Sequence, residues 1–232
     1  MALSTSNAPG FNAARRAVEV GRAAFFGSVS SDLPAGRSPE IEANDLVPQF
    51  GFVGPGFASS RILLLGINPG NGPNDVETSA DAAMLPALRA FFARPSLENF
   101  LKAQDAYRSV CESWAIWGNH CAAILGAANL AAGDIAYSNC LPWRTASKAA
   151  FSTRVAERTA SLYAGPLVME LAPSVIIAAG KKAMSVLELA QIELPRVIVW
   201  NRAQALTPAV AKEREAALEQ LRSVLATRNG TE

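Results

Sequence analysis

Three asparagines stand where short apolar runs give way to turns: Asn68 in Gly66-Ile67-Asn68-Pro69-Gly70, Asn139 in Ser138-Asn139-Cys140-Leu141-Pro142-Trp143-Arg144, and Asn201 in Val199-Trp200-Asn201-Arg202. A carboxamide carries a donor and an acceptor on one planar group, so it can hold a water or read the edge of a heterocycle, but it is no strong base. Chemistry built on such groups relies on placement, with a water held at one point and dipoles aimed where negative charge develops. Asp75 and Glu77 follow the first turn closely and are alternative bases if their loop folds back. His120, the only histidine, reads as a helix-start or surface residue. The plainer reading of Gly66, Pro69 and Gly70 is that they only turn the chain.

The elements that must position these side chains follow from the pattern of apolar runs. Ile62 to Leu65, Ile135 to Leu141, Ser174 to Gly180 and Val197 to Asn201 are short, β-branched or leucine-rich, and closed by Gly or Asn, which predicts strands of a parallel sheet covered on both faces. Helical segments separate them: Ala80 to Ala93, interrupted at Pro86; a helix capped by Ser96 and running towards Trp117; His120 to Ala132; Ser152 to Leu171, bent at Gly165-Pro166; Lys181 to Ala190; and a last helix introduced by Thr207 and Pro208. Ahead of them, Phe11 to Phe26 reads as an amphipathic helix and Gly27 to Ser60 as an ordered, proline- and glycine-rich coil carrying Phe50, Phe52 and Phe57. The expected fold is a three-layer αβα sandwich around a four-stranded parallel sheet, one domain over residues 1–232, with 1–10 loose and 11–53 packing on it. In such a sheet the strand ends emerge on one edge, so Asn68, Asn139, Gly180 and Asn201 are expected to converge on one crevice.

Composition bounds the function classes. At 232 residues and 50% hydrophobic content the chain can bury a sizeable core. Its 21 Lys and Arg nearly balance 20 Asp and Glu, so any contact with a polyanion must come from a local patch. Arg144, Lys148, Arg154, Arg158, Lys181, Lys182 and Arg202 follow strand ends closely enough to form one, although Arg154 and Arg158 also fit a solvated helix face. Cys111, Cys121 and Cys140 lack metal-site spacing and their odd number does not suit a secreted disulfide framework; buried thiols are expected. No apolar run approaches the roughly 20 residues of a membrane span. A cytoplasmic, soluble monomer without a membrane partner is the expectation.

The ordered set of strand ends resembles the uracil-DNA glycosylase superfamily. Gly66-Ile67-Asn68-Pro69-Gly70 is similar to the first motif of its mismatch-specific branch, while Ser138-Asn139-Cys140-Leu141-Pro142-Trp143-Arg144 and Leu171 to Ala183 look like the iron-sulfur branch; the resemblance covers roughly residues 54–225. It implies a DNA glycosylase that hydrolyses the base-sugar bond of a damaged or mispaired nucleotide, uracil foremost, in base excision repair. Asn68, with Asn201 of the last motif, would be catalytic; Gly66, Ile67, Pro69, Gly70, Asn139 and Trp143 would surround the extruded base; and Arg144, Lys181, Lys182 and Arg202 would contact DNA. Asn68 matches the side chain that holds the attacking water and Asn139 the one that reads the base.

The chain departs from that family in three places. The aromatic on which the base stacks is replaced by Ala80, for which Trp143 is the substitute candidate; the Pro-Ser pair of the last motif is missing after Asn201; and the cluster cysteines are absent, so no iron-sulfur cluster and no other cofactor or metal is expected. Two other classes stay open: a catalytically silent nucleobase- or single-strand-binding module on the same fold, and an unrelated nucleotide-binding enzyme using the turn after Gly66, against which the absence of a G-x-G-x-x-G or Walker pattern counts.

Overall fold

The computed structural model describes residues 8–27, 46–69, 75–145 and 151–229, with side chains placed throughout except at 75–78, 81, 228 and 229. In chain order these form α1 (Phe11–Val20), α2 (Arg22–Phe26), β1 (Phe52–Val53), α3 (Phe57–Ser60), β2 (Ile62–Gly66), α4 (Asp75–Ala93), α5 (Leu97–Val110), a 3₁₀ turn (Cys111–Ser113), a π-helical turn (Trp117–Cys121) running into α6 (Ala122–Ala128), and β3 (Ala136–Asn139). Then come α7 (Thr153–Thr159), a second π turn (Ala160–Ala164), α8 (Gly165–Leu171), β4 (Val175–Ala179), α9 (Lys181–Leu189), β5 (Arg196–Trp200) and α10 (Pro208–Asn229).

This is an α/β protein with a five-stranded, mostly parallel sheet in the order β1-β3-β2-β4-β5. The expected four parallel strands are present, but the sheet is mixed: Phe52 and Val53 pair antiparallel with Tyr137 and Ala136. A two-residue strand leaves no alternation to read, and glycines surround it. At Gly51, φ is +75° and a Cβ would run into the Tyr137 carbonyl; at Gly54 it would meet the Gly133 carbonyl, so these glycines permit the close approach of an edge strand.

Helices cover both faces. On one, Ile62, Leu64, Ile135 and Ile177 pack against Ile124 and Leu125 near the start of α6 and Leu221 of α10. On the other, Ala136 and Ser138 face Tyr163 of the second π turn and Leu167 and Leu171 of α8. Every residue of β2 and β4 is buried, as continuous apolar runs require.

Several helix boundaries differ from expectation for identifiable reasons. The first helix divides at Gly21, whose φ of +72° no helix accommodates. α4 continues through Pro86. The helical stretch before β4 runs from α7 through the second π turn into α8, the π turn directly preceding Gly165-Pro166, where Pro166 has no N–H to give the preceding turn. Ser96 and Thr207 cap as expected, accepting from the Asn99 and Val210 N–H groups at 3.3 Å, and Ser152 accepts from Val155 N–H at 3.3 Å. On α5, Phe100, Ala103 and Tyr107 are buried, whereas Leu101 is 46% exposed.

Candidate functional site

Strands β3, β2, β4 and β5 are parallel, so their carboxyl ends share one edge of the sheet. The chain leaving β2 returns on one side, to β3, and the chain leaving β4 returns on the other, to β5. In open α/β sheets such a divergence marks the place where ligands bind, which here is between the ends of β2 and β4. Register sets what lines it. Gly66 pairs with Asn139, lies one step beyond the Leu65–Ala178 pair, and Ala179 pairs with Trp200, so Asn139, Gly66, Ala179 and Trp200 form the last row on one face. The two middle members contribute no bulk. A carboxamide stands at one end of the row and an indole at the other.

Asn139 is 2% exposed, and its Nδ2 is buried without a hydrogen-bond partner. Its Oδ1 lies against Gly66, where any Cβ would collide with it. Tyr137, two residues back on the same face, shares this environment: burial pushes its phenol above the ordinary value, the Cys121 thiol adds to that, and the Arg202 charge and the Asn139 carboxamide oppose it. The next residue, Ser138, faces the opposite side, where its hydroxyl meets the Phe50 carbonyl at 3.0 Å and the Tyr163 hydroxyl at 3.1 Å. These bonds lock the strand end that carries Asn139.

Asn68 is half-buried just past β2. Parallel pairing outlasts the strand, with Cys140 N–H donating to the Gly66 carbonyl at 2.8 Å and Leu141 N–H to the Ile67 carbonyl at 2.9 Å, which fixes the backbone up to Asn68. Its Nδ2 donates to the Pro69 carbonyl at 3.2 Å and to Thr145 Oγ1 at 3.0 Å. A carbonyl only accepts, so Nδ2 faces Pro69, and among the described residues Oδ1 has no donor; an amide oxygen in that state can receive a water proton. Ile67 is half-buried and Pro69 buried beside it, while Gly70 lies outside the described residues. The backbone of Asp75 and Glu77 starts α4, but their side chains, like Lys148, lie outside the described residues.

Trp143 is fully buried and packs on Phe25, with ring centroids 4.7 Å apart, so its faces belong to the core rather than to a base. Its Nε1 is buried without a hydrogen bond. Arg144 and Thr145 are also buried, each 4% exposed, so Arg144 sits inside the strand-end region rather than on an outer surface. Gln49 was not singled out by the sequence. Its N–H donates to the Pro142 carbonyl at 2.7 Å, its side chain is 2% exposed, and its Nε2 is buried without a partner. The Pro48-Gln49-Phe50 context read as coil, and only the antiparallel pairing that follows reveals its place beside the end of β3.

The end of β5 is built differently. Asn201 Oδ1 accepts from Ala203 N–H at 2.8 Å, its Nδ2 donates to Glu213 of α10, and its carbonyl accepts from Arg214 Nε at 2.9 Å. Every polar atom of its side chain serves this turn. His120, on the first π turn, accepts from Trp200 Nε1 at Nδ1 over 3.2 Å. Burial, with the charges of Arg214 and Arg202, lowers the imidazole from its ordinary 6.5 to about 4, so the ring is neutral near neutral pH. Arg202 is exposed, with Cδ lying 3.9 Å from where a Cβ of Gly180 would stand; Lys181 and Lys182 are exposed at the start of α9. The strand ends thus bring Gly66, Asn68, Asn139 and Thr145 together, and leave Asn201 engaged elsewhere.

Among the described residues no three His, Cys, Asp or Glu side chains group as metal ligands, and no helix is long and apolar enough to cross a membrane. The three thiols are buried and unbridged; burial pushes Cys111 and Cys121 up to about 12 and raises Cys140 as well, which removes them as nucleophiles. No protein-family model matches the chain, and no curated protein matches it.

Proposed function

We propose that this protein binds an extruded base of DNA at the β2–β3 end and hydrolyses the base-sugar bond, on a three-layer αβα fold of the uracil-DNA glycosylase kind. The observation that carries the reading is the Asn139 carboxamide, buried at the end of β3 with no regular hydrogen bond to Nδ2 among the described residues. A buried donor left without a partner costs about 1–3 kcal/mol, and a ligand carbonyl that accepts from it relieves that cost. Uracil offers such an acceptor beside an N–H donor, matching both halves of the carboxamide. Asn68, held by Thr145, suits the placing of a water beside the sugar; Gly66 lets the Asn139 carboxamide lie close against the strand end. Lys181, Lys182 and Arg202 suit contact with backbone phosphates.

Two observations favour a second reading, a binding module without hydrolysis: the Trp143 ring is committed to Phe25, and Asn201 is committed to its own turn. A single-turnover assay on labelled oligonucleotides bearing uracil, hypoxanthine or a G·T mismatch separates the two. Abasic sites made by wild type and reduced at least roughly tenfold in Asn68→Ala are the expected result. Binding of the uracil oligonucleotide with no cleavage at excess enzyme selects the binding module, and neither binding nor cleavage sinks both.

A further inference from the structure

The sheet has two edges, and only one of them is blunted. At the first, β1 is two residues long, with Phe52 2% exposed and a glycine on either side. At the second, β5 runs from Arg196 to Trp200 in unbroken register with β4 and without a bulge. Among the described residues no backbone group of β5 bonds to anything but β4. An open edge of this kind is a template for another strand, and chains that stay single guard it with charges, proline or a bulge. β5 carries one charge, Arg196, at its first position, and Pro195 stands just outside it. Ile198 and Trp200 are buried on the face that α10 covers, where Leu221 packs with Ile177, the β4 neighbour of Ile198. On the other face Val197 is half-buried and Val199 is 40% exposed.

We propose that the free edge of β5 pairs antiparallel with β5 of a second copy of this chain, joining the two five-stranded sheets in a two-fold dimer where the sequence led to the expectation of a monomer. The residues select this occupant, because the strand is complementary to its own reverse. With the two-fold axis through Ile198, Val197 lies opposite the partner's Val199, and Val199 opposite the partner's Val197, as two β-branched cross-strand pairs. On the other face Arg196, exposed and in no ion pair among the described residues, lies opposite the partner's Trp200. Glu213 is tied to Asn201, the residue after Trp200, so the partner's Glu213 stands on the side of Arg196 with the opposite charge. Arg214 does not compete for it, since its guanidinium donates to the Asn201 and Ala203 carbonyls at 2.9 and 2.8 Å. Neighbouring registers are penalised. An axis through Val199 sets Arg196 against the partner's Arg202, and an axis through Val197 puts Pro195, which has no N–H, into the ladder opposite the partner's Val199. With the axis through Ile198 the carboxyl ends of the two sheets point in opposite directions, so the interface leaves the β2–β3 end of each copy uncovered.

Sedimentation velocity of the full chain over a dilution series should show a monomer–dimer equilibrium, with the β5 amides exchanging for deuterium more slowly at the concentrated end. Val199→Lys puts a charge on the exposed face of the edge and should weaken the dimer at least roughly tenfold while the far-UV circular dichroism stays that of wild type. A charge exchange tests the register. Arg196→Glu alone and Glu213→Arg alone, both at exposed positions, should each weaken self-association by setting like charges across the axis. An equimolar mixture of the two variants should form a heterodimer within about threefold of the wild-type affinity, because each contact then joins opposite charges. If Val199→Lys loses the wild-type fold, this mixture decides. A monomer at every concentration, a dimer that a folded Val199→Lys leaves as tight as wild type, or a mixture that associates no better than its separate components overturns the proposal. None of these readouts involves a bound base or its hydrolysis, so the dimer and the proposed function fail separately.

Discussion

Asn139 ends β3 and Asn201 directly follows β5, both carry the same carboxamide, and they end in opposite conditions. Asn139, 2% exposed, keeps a donor without a regular hydrogen bond among the described residues, its carboxamide lying beside the Tyr137 phenol. Asn201 is half-buried near solvent and has each side-chain atom used, by Ala203 on one side and Glu213 on the other. Central strands have neighbours on both sides, and a side chain at their end is closed in by whatever crosses the sheet edge. An edge strand such as β5 has a helix, α10, folding back alongside it, which supplies Glu213 and Arg214 as local partners. The same residue type thus becomes a stored binding group in the centre and a turn-former at the edge.

Gly66→Ala is the substitution that breaks the centre most severely. A methyl at this position overlaps Asn139 Oδ1, and the displaced carboxamide has nowhere polar to go. Denaturant unfolding is expected to show a loss of about 1–3 kcal/mol, as for overpacked cores. Binding of a uracil oligonucleotide should fall at least roughly tenfold in the fraction that remains folded. Retained affinity would mean that the row Asn139-Gly66-Ala179-Trp200 is not where the ligand lies.

Asn139→Leu sharpens the contrast, because its two effects carry opposite signs. Removing a buried donor that has no partner should leave stability unchanged or raise it by about 1 kcal/mol, while binding drops roughly tenfold. A clear destabilisation instead would show that the carboxamide already has partners in solution, and the centre and the edge would then be alike.

How much of this was legible in the residues follows the same division. The four parallel strands, their order along the chain and the capping serines could be read because apolar runs and Ser/Thr caps act locally. β1 could not, since two residues carry no period and the meaning of Gly51 and Gly54 lies in carbonyls of Tyr137 and Gly133 some eighty residues away. The position of Asn68 at a strand end was legible; its second anchor, Thr145, is a residue with nothing in its own surroundings to mark it. His120 read as a helix start because its partner, Trp200, is eighty positions distant. Trp143 illustrates the reverse error: adjacency to Asn139 in sequence does not mean adjacency in space, since successive residues past a strand point to different sides, and this one points to Phe25.

At the edge, Asn201→Ala should cost about 1 kcal/mol in stability, the usual size of a lost turn-capping bond, and change the single-turnover rate by no more than about twofold. A rate loss as large as that of Asn68→Ala, with stability intact, would place Asn201 in the chemistry and erase the distinction between the two ends.

The smallest expected effect comes from His120 and tests the edge by proton linkage. Its folded-state value of about 4 lies below the ordinary 6.5, so between those pH values the unfolded chain binds a proton that the folded chain refuses. The contribution to stability is therefore complete above 6.5 and is lost as pH falls towards 4. Much of the ring remains near solvent, so after screening the change is on the order of 1 kcal/mol or less. Carboxylates titrate in the same window, which is why the informative quantity is the difference between wild type and His120→Gln, measured as unfolding free energy at closely spaced pH. A difference that closes as pH falls means that the Trp200 N–H, burial and the two arginines hold the ring neutral. Arg202→Gln should make that closure shallower, because it removes one of the charges that keep the proton off. Parallel curves at all pH values would mean that His120 titrates as it does in a peptide.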